Sequence, residues 1–223
     1  MARLIGIDEA GRGPVLGPLV MAAVAITPEQ EDELRGFGIQ DSKKYGSGKK
    51  AKMARLAARP TVQSRCLYKV LSFSAEEVDK WVEQGKLDEL ERQGALKLLT
   101  AIGATSEDRI ICDGAPIFGR LTIHWPNLLA ENKADTKYLC VSAASILAKV
   151  ARDEAMDKIF QKYRDEFGEV SGGGYVNPGS RKFLEAYEAK YGELPLETRK
   201  SWTWREKPKP VEQPDIMDLL NGG

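Results

Sequence analysis

Asp8 and Glu9 stand side by side at the end of an otherwise apolar run, Arg3 to Ile7. Two negative charges are unfavourable there unless a cation compensates them. Asp113 repeats the arrangement after Ile110-Ile111-Cys112, and Asp135 opens the segment before a long helical pattern. Neighbouring strands would bring such ends together at one sheet edge. Oxygen-only ligands suit hard divalent cations such as magnesium or manganese and argue against a typical zinc site. His124, the only histidine, lies beside Trp125 and Pro126 without an imidazole partner and is expected to be packed or exposed, not a ligand. With no convincing Ser-His pair, metal-activated water remains as the chemistry. Taken singly, Asp113-Gly114 is also a common turn and Asp135 a possible helix cap.

Other residues around these acids could touch a substrate. Gly11-Arg12-Gly13-Pro14-Val15-Leu16-Gly17 follows the first strand, but its glycine spacing and Pro14 exclude a dinucleotide loop. A glycine-flanked arginine would let backbone amides and one guanidinium approach a sugar-phosphate chain. Ser142, Ser145, Lys149 and Arg152 share one helix face, a stripe that fits either a phosphate backbone or plain solvent. From Ser42 to Ala75 no acidic residue occurs among nine Lys and Arg, although the whole chain balances 33 basic against 33 acidic residues. Such a block either attracts phosphates or is a solvated helix face.

The elements that must position these residues read as alternating strands and helices, an α/β domain. Strands are expected over Arg3 to Ile7, Pro18 to Ile26, Val62 to Phe73 and Arg109 to Asp113. Helices are expected after Thr27-Pro28, from Ser47 to Arg59 with Pro60 as the stop, from the Ser74/Glu77 capping box, over Leu87 to Ile102, from Tyr138 to Phe167 with Gly168 as the stop, and from Pro178 to Tyr191. Ser171-Gly-Gly-Gly174 is a flexible turn delivering Tyr175. A catalytic domain over 1–205 and a Pro-rich flexible tail over 206–223 follow from the shift to Lys-Pro-Lys-Pro after Arg205. Pro18 to Ile26 is too short to span a bilayer and no cleavable leader is evident, so a cytoplasmic, membrane-free chain is expected. Cys66, Cys112 and Cys140 lack metal-ligand spacing and read as reduced and structural.

Together these segments resemble ribonuclease HII, the type 2 ribonucleases H. The matching stretches are Gly6-Ile-Asp-Glu-Ala-Gly-Arg-Gly-Pro14, Asp41-Ser-Lys-Lys44, Asp113-Gly114, Lys133-Ala-Asp135, Val141-Ser-Ala-Ala-Ser-Ile-Leu-Ala-Lys-Val150 with Arg152-Asp153, and Gly174-Tyr175. They keep the family's order from Ile5 to Trp202, and the Ser-Gly-Gly-Gly-Tyr and Ser201-Trp202 segments look archaeal. The resemblance implies a ribonuclease H-like fold: a mixed five-stranded sheet flanked by helices, with a helical C-terminal part. It further implies an endonuclease, a hydrolase that cuts the RNA strand of RNA-DNA hybrids and cuts 5′ of ribonucleotides embedded in duplex DNA. The products would be 5′-phosphate and 3′-hydroxyl ends, in the service of ribonucleotide excision and RNA primer removal.

In that reading Asp8, Glu9, Asp113 and Asp135 hold two Mg²⁺ or Mn²⁺ ions, one for the attacking water and one for the leaving 3′ oxygen. Gly11, Arg12 and Gly13 read the ribonucleotide's 2′ hydroxyl, and Tyr175 stacks on the next sugar. Ser42, Lys43, Lys44, Ser145 and Lys149 contact the substrate backbone. Two departures from the family pattern are Tyr45-Gly46 after Asp41-Ser-Lys-Lys44 and the run Gly172-Gly-Gly174, which weakens the expected preorganisation of Tyr175. The chain is expected to act as a monomer. Its tail, Gln213-Pro-Asp-Ile-Met-Asp-Leu-Leu220, resembles a sliding-clamp-binding peptide without the usual aromatic pair. The competing readings are a same-fold nuclease confined to plain hybrids and a non-catalytic hybrid-binding module; a type 3 enzyme is disfavoured because its extra N-terminal domain is missing.

Overall fold

The computed structural model describes residues 2–39, 48–170 and 172–205. Five strands form one sheet in the order β3-β2-β1-β4-β5. They are β1 (Leu4–Ala10), β2 (Leu19–Ile26), β3 (Leu67–Phe73), β4 (Arg109–Asp113) and β5 (Leu128–Glu131). Strand β2 pairs antiparallel with both β1 and β3, although two helices intervene in the chain before β3, whereas β1 with β4 and β4 with β5 pair parallel. The sheet is therefore mixed, as expected, and β1 lies at its centre.

β2 is buried along its whole length, which matches an unbroken apolar strand with both faces covered. Its even residues Val20, Ala22, Val24 and Ile26 pack with Ile111 against Val141, Ala144, Ile146 and Leu147 of α6 (Leu139–Phe167). Its odd residues Leu19, Met21, Ala23 and Ala25 pack with Ile5, Ile7 and Cys112 against Leu90, Ala95, Leu98 and Leu99 of α4 (Leu87–Ala101). The period of two along the strands thus sorts the core into two layers.

Helices α1 (Pro28–Gly36) and α2 (Gly48–Arg65) join the first layer through Leu34 and Val62. Helix α3 (Ala75–Val82) joins the second through Val78. Thr27 and Ser74 both make reciprocal capping boxes, with Gln30 and Glu77. At 29 residues, α6 is about 43 Å long, so its C-terminal half outruns the sheet. There Met156 and Tyr163 pack with Phe183 and Leu184 of α7 (Pro178–Tyr191) and with Val15, Leu16 and Trp204 in a third apolar cluster. A short helix, α5 (Ala115–Phe118), and two 3-10 turns, Gly119–Ile123 and Ala134–Thr136, complete the described elements.

Three boundaries differ from the sequence reading. Strand β1 runs past the expected Ile7 to Ala10, so Asp8 and Glu9 lie within it. Pro60 does not stop α2, which runs on to Arg65, so Val62 to Arg65 are helical and β3 begins only at Leu67. A proline removes one helical hydrogen bond, but Val62 is fully buried in the α6 layer and Cys66 N–H bonds its carbonyl, so packing holds the last turn. Strand β5 carries no pattern of its own: four residues between Asn127 and Asn132 are too few for alternation to show. Ser47, expected to cap α2, lies outside the described residues, as does the tail from residue 206. All three cysteines are free and buried, and His124 is exposed. Among the described residues no helix is long and apolar enough to cross a membrane.

Candidate metal centre and the loops around it

Parallel pairing of Ile7 with Cys112 sets Asp8 and Asp113 on adjacent strands one residue further on. Both face the α6 layer, Asp8 with the even residues of β1 and Asp113 with Ile111. Asp135 arrives from the 3-10 turn just ahead of α6. Lys133, which enters that turn, has φ 61°, the only positive value outside glycine among the described residues. The Ala134 amide then donates to Asp113 Oδ1 (3.2 Å), tying the turn to the end of β4. One carboxylate oxygen from each of Asp8, Asp113 and Asp135 lies within 4.8 Å of the others.

Asp8 and Asp135 are buried. Burial pushes the Asp8 carboxyl up to about 7, against hydrogen bonding from Ser145 and the charge of Lys149, with Asp113 adding to the rise. The Glu9 amide also donates to Asp8 Oδ1 (2.8 Å). Ser145, fully buried on α6, therefore addresses Asp8 and does not present its hydroxyl to a duplex as expected; Lys149, one turn on, is half-buried. The stripe Ser142-Ser145-Lys149-Arg152 is not a solvent face, since Ser142, Ser145 and Arg152 are all buried. Gly6 is what allows this closeness: a Cβ there would sit 2.2 Å from the Cys140 carbonyl carbon at the start of α6.

Glu9 is outside the three-carboxylate group, which corrects the expectation that all four acids share one cation-sized cluster. Successive strand residues point to opposite faces, so Glu9 leaves β1 toward α4. Burial raises its carboxyl well above the usual range, joined by the charges of Asp8, Glu91 and Asp113, while Arg12 opposes the rise. Its Oε2 is buried and accepts no hydrogen bond. Three converging carboxylates beside an orphaned carboxylate oxygen are a donor set that fits a hard divalent cation.

The loop after β1 is fixed from behind. Arg12 does not reach outward: its Nε meets both oxygens of Glu91 (3.1 and 3.0 Å), and a terminal nitrogen donates to Asp88 Oδ1 (2.6 Å). Glu91 is fully buried on α4. Gly174 O accepts from the amides of Val15 (3.0 Å) and Leu16 (3.1 Å), so the Gly-rich turn is pinned to this loop and is not loose as its composition suggested. Tyr175 is exposed, with its ring edge 3.7 Å from where a Cβ on Gly13 would stand. Gly11 is required twice over, by φ 88° and because a Cβ would meet Arg152 Nε at 2.0 Å.

Ser42, Lys43 and Lys44 lie outside the described residues. Part of the basic run beyond them is paired within the fold: Lys52, Arg55 and Arg59 meet Asp157, Asp153 and Glu154 of α6. Sequence reasoning missed Glu91 and Arg199. Glu91 had a signal, an acid at a core-facing helical position in line with Ala95 and Leu98. Arg199 had none, standing in a segment without periodicity.

The family model described as Ribonuclease HII matches residues 5–205. A ribonuclease HII of Thermococcus sibiricus is 35% identical over 229 residues, covering 98% of this chain and 97% of that one. The crystal structure of the ribonuclease H2 from Pyrococcus horikoshii OT3 is similar with TM-score 0.74 at 33% identity, covering 90% of this chain and 93% of that one. The ribonuclease HII in the PCNA:RNase HII complex from Archaeoglobus fulgidus is similar with TM-score 0.75 at 31% identity, covering 93% and 98%.

Proposed function

The chain belongs to the ribonuclease HII family of endoribonucleases, and from that premise we propose that it cuts RNA-DNA hybrids and also cuts on the 5′ side of single ribonucleotides embedded in duplex DNA. The observation that carries this reading is the convergence of Asp8, Asp113 and Asp135 within 4.8 Å at the sheet edge, beside the loop of Gly11, Arg12 and Gly13 and the exposed ring of Tyr175. The three aspartates would hold divalent cations, Mg²⁺ or Mn²⁺, two during catalysis, with Glu9 contributing its unpartnered Oε2 from the α4 side. When bound, such cations supply a nucleophilic water at neutral pH and offset charge on the leaving oxygen.

The protein's own groups do the rest. Ser145 orients Asp8 by hydrogen bonding, and Lys149 favours its charged form, which is the form that binds a cation. The backbone of Gly11 to Gly13 meets the 2′ hydroxyl, the group that distinguishes RNA from DNA. Tyr175 stacks on the following sugar, and Lys149 with Ser42, Lys43 and Lys44 holds backbone phosphates. The products carry 5′-phosphate and 3′-hydroxyl ends, which fits ribonucleotide excision and primer removal.

The test is a panel of labelled duplexes: all DNA, DNA with one ribonucleotide, and a continuous hybrid. The reading expects cutting of the last two and a phosphorylated 5′ end at the ribonucleotide. Cutting of the continuous hybrid alone refutes the junction activity. The proposal includes a cytoplasmic monomer, open to light scattering and cell fractionation. It also assigns the tail from Gln213 to Leu220 to a sliding clamp, supported by the relative solved with PCNA; deleting Pro208 to Gly223 should abolish clamp binding.

A further inference from the structure

Two arginines lie buried behind the loop that follows β1, Arg199 fully and Arg152 nearly so. Neither forms an ion pair with a carboxylate among the described residues, which is unusual for buried guanidinium groups. Instead both spend their donors on backbone carbonyls. Arg199 donates to Gly11 O (2.6 Å), Arg12 O (2.9 Å) and Gly17 O (3.1 Å). Arg152 donates to Leu16 O (3.1 Å), Pro18 O (3.2 Å) and Gly173 O (2.9 Å).

The main chain around Arg199 is equally committed. Its amide donates to Val15 O (2.8 Å), and Gly17 N–H donates to Glu197 O (2.8 Å). Asp79 of α3 in turn accepts the amides of Lys200 (2.6 Å) and Ser201 (3.1 Å), fixing the segment to the body of the domain. The carbonyl side of the loop is thus occupied from within. Among the described residues the amides of Arg12 and Gly13 donate to no protein acceptor.

We propose that Arg199, with Arg152 beside it, is a positioning residue for ribonucleotide recognition: the pair turns the loop's carbonyls inward and presents its free amides and the Tyr175 ring as one unit. The inference rests on the reading that this loop meets the 2′ hydroxyl. Peptide dipoles whose oxygen ends sit on buried cations direct their N–H ends outward, toward an acceptor such as a hydroxyl or phosphate oxygen. Arg152 bonds both the loop and Gly173, so it also sets the distance between the amides and the stacking ring. A lysine in place of Arg199 keeps the charge but cannot fork onto three carbonyls.

The experiment compares wild type and Arg199→Lys, with Tm checked, on the single-ribonucleotide duplex and on the continuous hybrid. A lone ribonucleotide must meet the loop in one register, whereas a continuous RNA strand offers a 2′ hydroxyl at every position. We expect kcat/KM on the single ribonucleotide to fall by about 100-fold, the scale of a misplacement near 1 Å, and the hybrid to fall much less. An unchanged ratio between the two substrates in a folded variant overturns the proposal. Wild type cutting neither duplex instead overturns the functional reading beneath it. Should the variant not fold, amide exchange in the wild type without nucleic acid decides: slow exchange at Val15, Leu16 and Gly17 supports a preset loop, and exchange at open-chain rates overturns it.

Discussion

Asp8 sets the electrostatic balance of the site. Its carboxyl rises to about 7 because it is buried, so the metal-free protein holds a proton there that the unfolded chain releases near pH 4. A raised folded pKa favours folding at low pH, and that advantage is lost as pH climbs from about 4 through about 7. Asp8→Asn should therefore stabilise the metal-free protein at pH 8 by on the order of 1 kcal/mol and flatten this part of its pH-stability curve. Thermal melts from pH 5 to 8 in chelator measure it; a variant less stable than wild type at pH 8 contradicts the assignment. Asp8 and Glu9 were legible in the sequence because two acids close an apolar strand. That Glu9 turns to the other face was equally legible from strand alternation, which the reading of four clustered acids passed over. Ser145 looked like a surface hydroxyl because a helix of small residues shows no polarity contrast to say which side is buried.

At the scale of elements, the site depends on how closely α6 approaches β1. Gly6 is where the strand touches the helix start, so Gly6→Ala must move one of them, and backbone atoms leave no flexible side chain to yield. A cost of about 1–3 kcal/mol or more in stability is expected, with a parallel loss of cleavage. Denaturant melts and a cleavage assay check both, and an active variant of wild-type stability would show that the close approach is dispensable. The other end of β1 is tied to β4 by Arg3 and Asp108, where the guanidinium donates to both carboxylate oxygens (3.0 and 2.7 Å). Hydrogen bonding to Arg3 holds the Asp108 carboxyl below the usual range, so its contribution is present above pH 4 and lost as pH falls further. Asp108→Asn should cost about 1–3 kcal/mol at neutral pH, with the difference narrowing in acid melts. The capping boxes at Thr27 and Ser74 made α1 and α3 readable in advance. Pro60 misled because its local cost is outweighed by Val62 packing against residues distant in sequence, and β5 is a strand only because β4 lies beside it.

For the molecule as a whole, three carboxylates at one sheet edge make the folded state a better cation ligand than the unfolded chain. Mn²⁺ or Mg²⁺ should therefore raise Tm, by the equivalent of about 2.7 kcal/mol at a hundredfold excess over Kd, and Asp113→Asn should lose most of that rise. No metal-dependent shift in the wild type would speak against the site. Fold class and family were legible because specific motifs keep their order along most of the chain. The rear support of the substrate-facing loop was not, because Arg199 meets Gly11 and Arg12 only through the tertiary fold. The most direct test of the central claim is cleavage of a DNA duplex bearing one ribonucleotide, in Mg²⁺ or Mn²⁺, by wild type and by Asp135→Asn. A cut on the 5′ side of the ribonucleotide that disappears in the variant, with its fold intact, is the predicted result; equal cutting by both would contradict a catalytic centre built on Asp8, Asp113 and Asp135.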